Sequence, residues 1–158
     1  MTIHDDAVAI RPATADDVPA VVAMLADDSL GAGRETPDDL APYHAAFARL
    51  ETDPNQLLVV AEHTDGTTRR VTGTLQLSIL PGLSRRGATR ALIEAVRVHA
   101  SARGTGLGTR LVEWAIAESR ARDCVLVQLT SDATRKDAHR FYERLGFTPS
   151  HVGFKLSL

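Results

Sequence analysis

Arg103-Gly104-Thr105-Gly106-Leu107-Gly108 is a glycine-rich turn between a segment typical of a strand, Ala91 to His99, and one typical of a helix, Leu107 to Arg122. Its three glycines lack a Cβ, so the backbone N–H groups are free to point towards one position at the positive end of the helix dipole. The turn therefore predicts an anion site, and a phosphate compound is the expected ligand. The alternative is that the glycines only make a tight turn.

The composition is that of a soluble globular protein, and we expect one domain over residues 1–158. Of the 158 residues, 44% are apolar and 24% are charged, with a net charge of −2. This length suits one hydrophobic core, and the charge balance argues against nucleic-acid binding and against disorder. No segment offers the roughly 18 uninterrupted apolar residues of a membrane span, and no basic-then-apolar leader opens the chain. We therefore expect a cytoplasmic protein with neither a nucleic-acid nor a membrane partner.

Hydrophobic periodicity predicts a strand, two helices and an antiparallel hairpin ahead of the glycine turn. A capping pattern at Thr14 and a proline after Thr36 mark the expected helix starts. Asp65-Gly66 is typical of a hairpin turn. The predicted strands of this part are Ala7 to Arg11, Gln56 to Glu62 and Val71 to Leu80.

Glu94 is a carboxylate among aliphatic neighbours in the strand that leads to the glycine turn. Strict alternation places it on one face together with Leu92, Val96 and Val98. Two interpretations stay open: a glutamate on a solvated part of the sheet, or a base whose affinity for protons is raised by partial burial.

The remainder of the chain predicts a crossover strand and a last helix. Val125 to Leu129 should lie parallel to the strand before the turn, because a helix connects the two. The last helix, from about Ala133 to Leu145, places Tyr142 on its core-facing stripe, where a packed ring with a bonded hydroxyl is the ordinary interpretation. Short closing strands are expected at Phe147 to Pro149 and Val152 to Leu156.

Two phosphate-binding motifs do not fit the glycine turn. A P-loop requires Lys-Ser or Lys-Thr after its final glycine, but Gly108 is followed by Thr109-Arg110. A dinucleotide fingerprint requires glycine at the position of Thr109 and an acid after the next strand, whereas Asp123 precedes that strand.

The turn matches instead the R-x-x-G-x-G coenzyme A pyrophosphate loop of the GNAT superfamily of N-acetyltransferases. The segment Phe141-Tyr142-Glu143-Arg144-Leu145-Gly146-Phe147 resembles the family's late helix and exit, and Ile10-Arg11-Pro12-Ala13-Thr14 resembles its opening. The resemblance spans nearly the whole chain. It implies an α/β, GNAT-like fold: a mixed, mostly antiparallel sheet with a central parallel, splayed strand pair, flanked by helices.

The resemblance also implies an activity and roles for single residues. Acetyl-CoA (coenzyme A) would be the co-substrate, without a metal, and the acceptor would be a primary amine of a small molecule or peptide. In that mechanism Glu94 removes a proton from the amine, directly or through water, and the backbone N–H of Val96 stabilises the oxyanion. Tyr142 occupies the general-acid position and protonates the departing thiolate.

The coenzyme contacts implied by the resemblance fall in three groups. The backbone around Val96, Arg97 and Val98 would hold the pantetheine arm. Arg135 stands where many members carry asparagine, and it is either a phosphate contact or part of a solvated helix face. The remaining implied contacts are Arg103, Gly104, Thr105, Gly106, Leu107, Gly108, Thr109, Ser131 and His139.

Several alternatives remain at this level. The chain is similar to members that acetylate small amines, including aminoalkylphosphonates. The pocket for the amine is expected to be built from Leu30 to Glu35, Tyr43, Phe47, the loop around Pro81 and Gly82, and the tail from His151 to Phe154. A coenzyme A binding or sensing module without catalysis is the alternative function, and a homodimer is possible. A covalent route through Cys124 is disfavoured, because no histidine lies near it in sequence.

Overall fold

The computed structural model describes residues 7–158, which form five strands and five helical segments in mixed order. Two 3-10 turns, Ala15–Asp17 and Ala100–Ala102, precede the first and fourth helices. The strands are β1 Ala7–Pro12, β2 Gln56–Asp65, β3 Thr68–Leu80, β4 Arg90–Val98 and β5 Leu126–Gln128. The helices are α1 Val18–Ala26, α2 Ala41–Thr52, the single turn α3 Ser84–Gly87, α4 Leu107–Ala121 and α5 Lys136–Arg144.

The described chain divides into two compact units. The first ends at Gln128 and contains the sheet with α1 to α4, and the second runs from Leu129 to Leu158 and contains α5 with the C-terminal tail. A single domain over the whole chain stays a prediction.

The sheet has the order β1-β2-β3-β4-β5, and each pair is antiparallel except β4 with β5. The parallel pairing joins only Arg90–Leu92 to Leu126–Gln128. Past Leu92, β4 continues to Val98 while β5 ends at Gln128, so the two strands separate. The predicted mixed sheet with a splayed parallel pair is thus confirmed.

The two faces of β3 pack against different helices. On one face Leu75 and Leu77 are fully buried, and a Cβ on Gly73 would lie 3.0 Å from Leu111 Cδ1 of α4. The absence of that Cβ lets α4 approach the sheet closely. The opposite face, which carries Thr74 and Gln76, lies towards α1 and α2.

The segment after β1 is held by an ion-pair network. Arg11 donates to Asp17 Oδ2 at 2.7 Å and to Glu62 Oε2 at 2.6 Å, and the N–H of Thr14 donates to Asp17 Oδ2 at 2.8 Å. The hydrogen bonds from Arg11, and then those from Thr14, hold the pKa of Asp17 below its usual range, although burial opposes the shift. The capping pattern predicted at Thr14 is confirmed.

The second helix begins later than predicted. It starts at Ala41, because the N–H of Thr36 donates to the Tyr43 hydroxyl at 2.8 Å and the N–H of Asp39 donates back to Thr36 O at 2.9 Å. These bonds close a turn over residues 36–39 in place of a first helical turn.

The predicted closing strands are wrong. Residues 147–158 contain no strand, and Val152, Phe154 and Leu156 are exposed. Alternating apolar residues form a strand only where a neighbour satisfies the backbone, whereas here the N–H of Ser150 bonds locally to Thr148 O at 2.9 Å. Within residues 7–158 no helix combines the length and apolar character needed to cross a bilayer.

Candidate active site

A β-bulge interrupts the pairing of β3 with β4 directly after Glu94. Gln76 pairs with Glu94 and Thr74 pairs with Arg97, so two residues of β4, Ala95 and Val96, lie opposite Leu75 alone. Ala95 has a φ of 52°, which is unusual for a residue with a side chain. Bulges of this kind re-aim backbone and side chains locally.

The bulge overturns the strict alternation that we predicted for this strand. Cross-strand partners share a face of a sheet, so Glu94 and Arg97 both lie on the face of Gln76 and Thr74. Val98, predicted on the face of Glu94, instead pairs with Gly73 on the opposite face. The extra residue of the bulge accounts for this reversal.

The backbone of Val96 and Val98 faces the side of β4 that β5 has left. The N–H of His99 donates to Thr72 O of β3 at 2.8 Å, so by alternation Arg97 also turns its backbone towards β3. The backbone N–H and C=O groups of Val96 and Val98 then point away from β3. These N–H and C=O groups therefore lie along this open edge of β4.

Two arginines cover the carbonyls of this open edge. Arg97 Nη1 donates to Val96 O at 2.9 Å, and Arg103 Nε donates to Val98 O at 3.3 Å. The coenzyme contacts expected at the backbone of Arg97 and at Arg103 stay predictions, and both side chains donate to the protein's own backbone.

Two consecutive aspartates after α1 bind these arginines. Arg97 Nη2 lies 2.9 Å from Asp28 Oδ2, and the two side chains are 17% and 11% exposed. Arg103 Nη2 lies 3.2 Å from Asp27 Oδ2, and this pair is mostly exposed. Sequence reasoning missed both aspartates, because no local pattern connects Asp27-Asp28 with β4.

The glycine turn has the conformation of an anion-binding helix start. Gly104 and Gly106 have φ of 76° and 84°, and Gly106 is the N-cap of α4. The first N–H with an acceptor in the helix is that of Arg110, which donates to Gly106 O at 3.1 Å. The N–H groups of Leu107, Gly108 and Thr109 precede it in the first turn, where the helix offers no acceptor. The predicted strand, turn and helix are confirmed, although Gly108 is an ordinary helical residue.

Glu94 is exposed in the structure. Of the two interpretations that the sequence left open, the structure therefore fits the glutamate on a solvated part of the sheet. Glu94 lies on the same face of the sheet as Gln76 and immediately before the bulge, open to solvent.

A cavity of about 120 Å³ lies between α1, α2 and the face of the sheet that carries Glu94. It extends from Ala95, which is exposed at the bulge, to Val22 and Phe47 in the core. Tyr43 and Phe47, which we expected in the amine pocket, both line it, whereas residues 30–35 and 81–82, also expected there, are not part of its lining. The full lining is Ala13, Thr14, Val18, Val21, Val22, Leu25, Tyr43, Ala46, Phe47, Leu50, Leu58, Thr74, Gln76 and Ala95.

The second unit carries the other residues that the sequence singled out. The half-buried ring of Tyr142 packs edge-on against Phe141 and Phe147, with ring centroids 5.0 and 5.9 Å away. Ser131 is half-buried, and Arg135 is exposed immediately before α5.

Asp132 organises the start of this unit. Its Oδ1 accepts hydrogen bonds from the hydroxyl and the N–H of Thr134 at 2.6 and 2.9 Å, which lower the pKa of Asp132. Its carbonyl lies 2.8 Å from His139 Nε2. The imidazole of His139, an expected coenzyme contact, is thereby held against the turn before α5.

The structure also bears on the covalent alternative. Burial raises the pKa of the Cys124 thiol. The nucleophile in an acyl-enzyme route is the thiolate, so this environment disfavours it.

Comparison with known proteins assigns the chain to a family. Residues 20–147 match the sequence profile of the Acetyltransferase (GNAT) family. The chain belongs to the GNAT acetyltransferases and is an acetyl-CoA-dependent N-acetyltransferase, with acetyl-CoA as its co-substrate.

Two characterised relatives and one solved structure show the extent of the similarity. The aminoalkylphosphonate N-acetyltransferase of Salmonella typhimurium is 29% identical over 94% of this chain and 90% of that protein. The glucosamine 6-phosphate N-acetyltransferase of Trypanosoma brucei brucei is 37% identical over 58% of this chain and 60% of that protein. A Bacillus halodurans C-125 crystal structure, described as a transcriptional regulator, is 45% identical with a TM-score of 0.89, covering 96% of this chain and 100% of that one.

Proposed function

We propose that the protein acetylates a primary amine of a small molecule by direct attack on acetyl-CoA in a ternary complex. One observation carries this proposal: the bulge at Ala95 and Val96 turns the backbone of Val96 to the open edge of β4, immediately after the exposed Glu94. The N–H of Val96 is then a donor for the oxyanion, and the carboxylate of Glu94 is an acceptor for the proton. Only Ala95 separates these two residues in the chain.

The coenzyme is proposed to lie along the open edge and the glycine turn. The first-turn N–H groups of α4 would bind the pyrophosphate, since they lack acceptors and lie at the positive end of the helix dipole. The backbone of Val96 and Val98 would meet the pantetheine amides. The turn at Gly104 and Gly106 leaves room for this approach, because a Cβ at either position would meet nothing within 4 Å.

The proposed chemistry begins with removal of a proton from the amine. An alkylammonium with a pKa of about 10 has no free lone pair at neutral pH, so the amine must lose a proton before it attacks. We assign this step to Glu94, acting directly or through water. The N–H of Val96 would then stabilise the negative charge that develops on the thioester oxygen.

The departing thiolate requires a proton, and we propose Tyr142 as its source. The support for this role is the family resemblance of the helix that carries the tyrosine, in which a phenol occupies the general-acid position. On the same basis Ser131, Arg135 and His139 stay proposed coenzyme contacts.

The acceptor is proposed to be a small amine that also carries a phosphonate or phosphate. The names of the two characterised relatives describe such compounds, an aminoalkylphosphonate and an amino sugar phosphate. A cytoplasmic location and a possible homodimer belong to the same proposal.

Thiol release from acetyl-CoA, measured over a panel of amines, tests this function. The panel pairs 2-aminoethylphosphonate and glucosamine 6-phosphate with ethylamine, glucosamine and a short peptide. We expect amine-dependent release of coenzyme A, highest for the phosphorylated amines, and an N-acetylated product in mass spectrometry. Acetyl-CoA binding without amine-dependent release would favour the silent or sensing module, an alternative kept open by the regulator description of the Bacillus halodurans relative.

A further inference from the structure

We propose that the cavity behind Ala95 is an acyl pocket, which lets the enzyme transfer short straight-chain acyl groups longer than acetyl. This inference rests on the proposed function in one respect: the thioester carbonyl must lie at the bulge of β4. The donors it predicts are propionyl-, butyryl- and pentanoyl-CoA.

The first support is the position of the cavity mouth. Ala95 is both a bulge residue and part of the cavity lining, so the cavity begins beside the backbone of Val96. An acyl carbonyl held by Val96 N–H would have its next carbons directed into this opening or into solvent. Burial in the cavity is favoured, because the transfer of each methylene from water to apolar surroundings lowers the free energy.

The second support is the chemistry of the lining, which suits an alkyl chain better than an amine. Among residues 7–158, no charged side chain lines the cavity. Three of its polar atoms already have partners: Thr74 Oγ1 donates to Val59 O at 2.9 Å, Tyr43 OH donates to Glu35 Oε2 at 2.7 Å, and Gln76 Nε2 donates to Gln56 Oε1 at 3.0 Å. An ammonium group inside would be desolvated without compensation, so the amine is expected to stay at the exposed Glu94.

The third support is size. An apolar cavity of about 150 Å³ engineered in another protein holds a benzene molecule. A volume of about 120 Å³ is slightly smaller, and it suits the carbons of a short chain. Val22 and Phe47, 1% and 7% exposed, close the far end and exclude long chains.

The transfer itself is unchanged from acetyl transfer. The amine nitrogen forms a bond to the acyl carbon, the carbon–sulfur bond breaks, and coenzyme A leaves as the thiol with a proton. The second product is the N-acyl amide. No further reactant is required.

Two measurements on the full chain test the pocket. Calorimetric titration compares the affinities for acetyl-, butyryl-, hexanoyl- and palmitoyl-CoA without an acceptor, and thiol release compares kcat/KM for the same donors with 2-aminoethylphosphonate. Ala46→Leu narrows the cavity, Leu50→Ala enlarges it, and Ala45→Leu adds the same side chain on the exposed face of α2 as the matched control.

We expect butyryl-CoA to bind the unaltered protein at least as tightly as acetyl-CoA. Ala46→Leu should weaken butyryl-CoA binding by about tenfold and leave acetyl-CoA nearly unchanged, in keeping with the cost of a misplaced methylene in an apolar pocket. Leu50→Ala should move the preference towards hexanoyl-CoA, a gain that misfolding does not produce, and Ala45→Leu should change nothing.

The proposal is overturned if butyryl-CoA binds much more weakly than acetyl-CoA, or if Ala46→Leu weakens both equally. If the proposed amine acetylation itself is wrong, the result is different: no donor releases thiol. The relative affinities for the acyl-CoA donors then still test whether the cavity binds the acyl chain.

Discussion

Arg97 and Asp28 form an ion pair, with Arg97 Nη2 2.9 Å from Asp28 Oδ2. Arg97 directly follows the bulge of β4 and Asp28 follows α1, so the pair connects β4 with the end of α1. Both side chains are mostly buried, and Arg97 also donates to Val96 O. The position of the Val96 backbone therefore depends on a carboxylate about seventy residues earlier in the chain.

Asp28→Asn should weaken acetyl-CoA binding by about three- to tenfold and lower the stability by about 1–3 kcal/mol, because it leaves a largely buried guanidinium without its counter-charge. The value of kcat should also fall, because the N–H of Val96, the proposed oxyanion donor, would move. Titration calorimetry with acetyl-CoA and thermal melting measure the two effects. Asp27→Asn is the control, since its exposed pair with Arg103 should contribute less than about 1 kcal/mol. Equal effects of the two variants would contradict the assignment.

Gly106→Ala should impair the coenzyme site without any steric clash. A Cβ at this position meets nothing within 4 Å, but the φ of 84° costs a residue with a side chain about 1–2 kcal/mol. Relaxation of that strain would move the first N–H groups of α4, so the Kd for coenzyme A should rise. Gly33→Ala is the matched control, because its Cβ also meets open space and its backbone is not left-handed. A Kd that is unchanged in Gly106→Ala would argue against this turn as the pyrophosphate site.

Glu94→Gln and Tyr142→Phe should each lower kcat while leaving acetyl-CoA affinity nearly intact. Loss of a general acid or base typically costs a factor of about 10² to 10⁴ in rate. For Glu94→Gln, raising the pH should recover part of the rate, because more of the free amine is then present. Steady-state kinetics between pH 6 and pH 10 measure both. Unchanged turnover in either variant would remove that residue from the mechanism.

Asp17→Asn should destabilise the protein at neutral pH and change its response to acid. Because the folded pKa of Asp17 is depressed, its contribution to stability is present above the ordinary carboxyl pKa and is lost as the pH falls through the folded value. We expect a loss of about 1–3 kcal/mol at pH 7 and a shallower decline below about pH 4. Urea unfolding at several pH values measures this, with the exposed Asp16→Asn as control. Parallel pH profiles of the variant and the unaltered protein would show that the Arg11 network does not carry the effect.

Local patterns were sufficient for most of the fold. The hairpin at Gly66 and the glycine turn before α4 require left-handed backbone, which glycine adopts readily, and the periods of the flanking segments are unambiguous. The late start of α2 was not predictable, since the bond from Thr36 to the Tyr43 hydroxyl competes with helix formation only in the folded protein.

The parts of the candidate site that escaped prediction depend on tertiary contacts. Ala95 is not a residue type that favours positive φ, so the bulge is imposed by the pairing of β4 with β3. Asp27 and Asp28 look like ordinary acidic residues after a helix. Only the folded chain brings them to Arg103 and Arg97.

Direct attack of an amine on the thioester is tested most directly by initial velocities over a matrix of acetyl-CoA and 2-aminoethylphosphonate concentrations. A ternary complex predicts double-reciprocal lines that intersect, with no acetylated protein in intact-mass spectra when the amine is omitted. Parallel lines together with an acetyl group on Cys124 would contradict direct transfer at the bulge of β4.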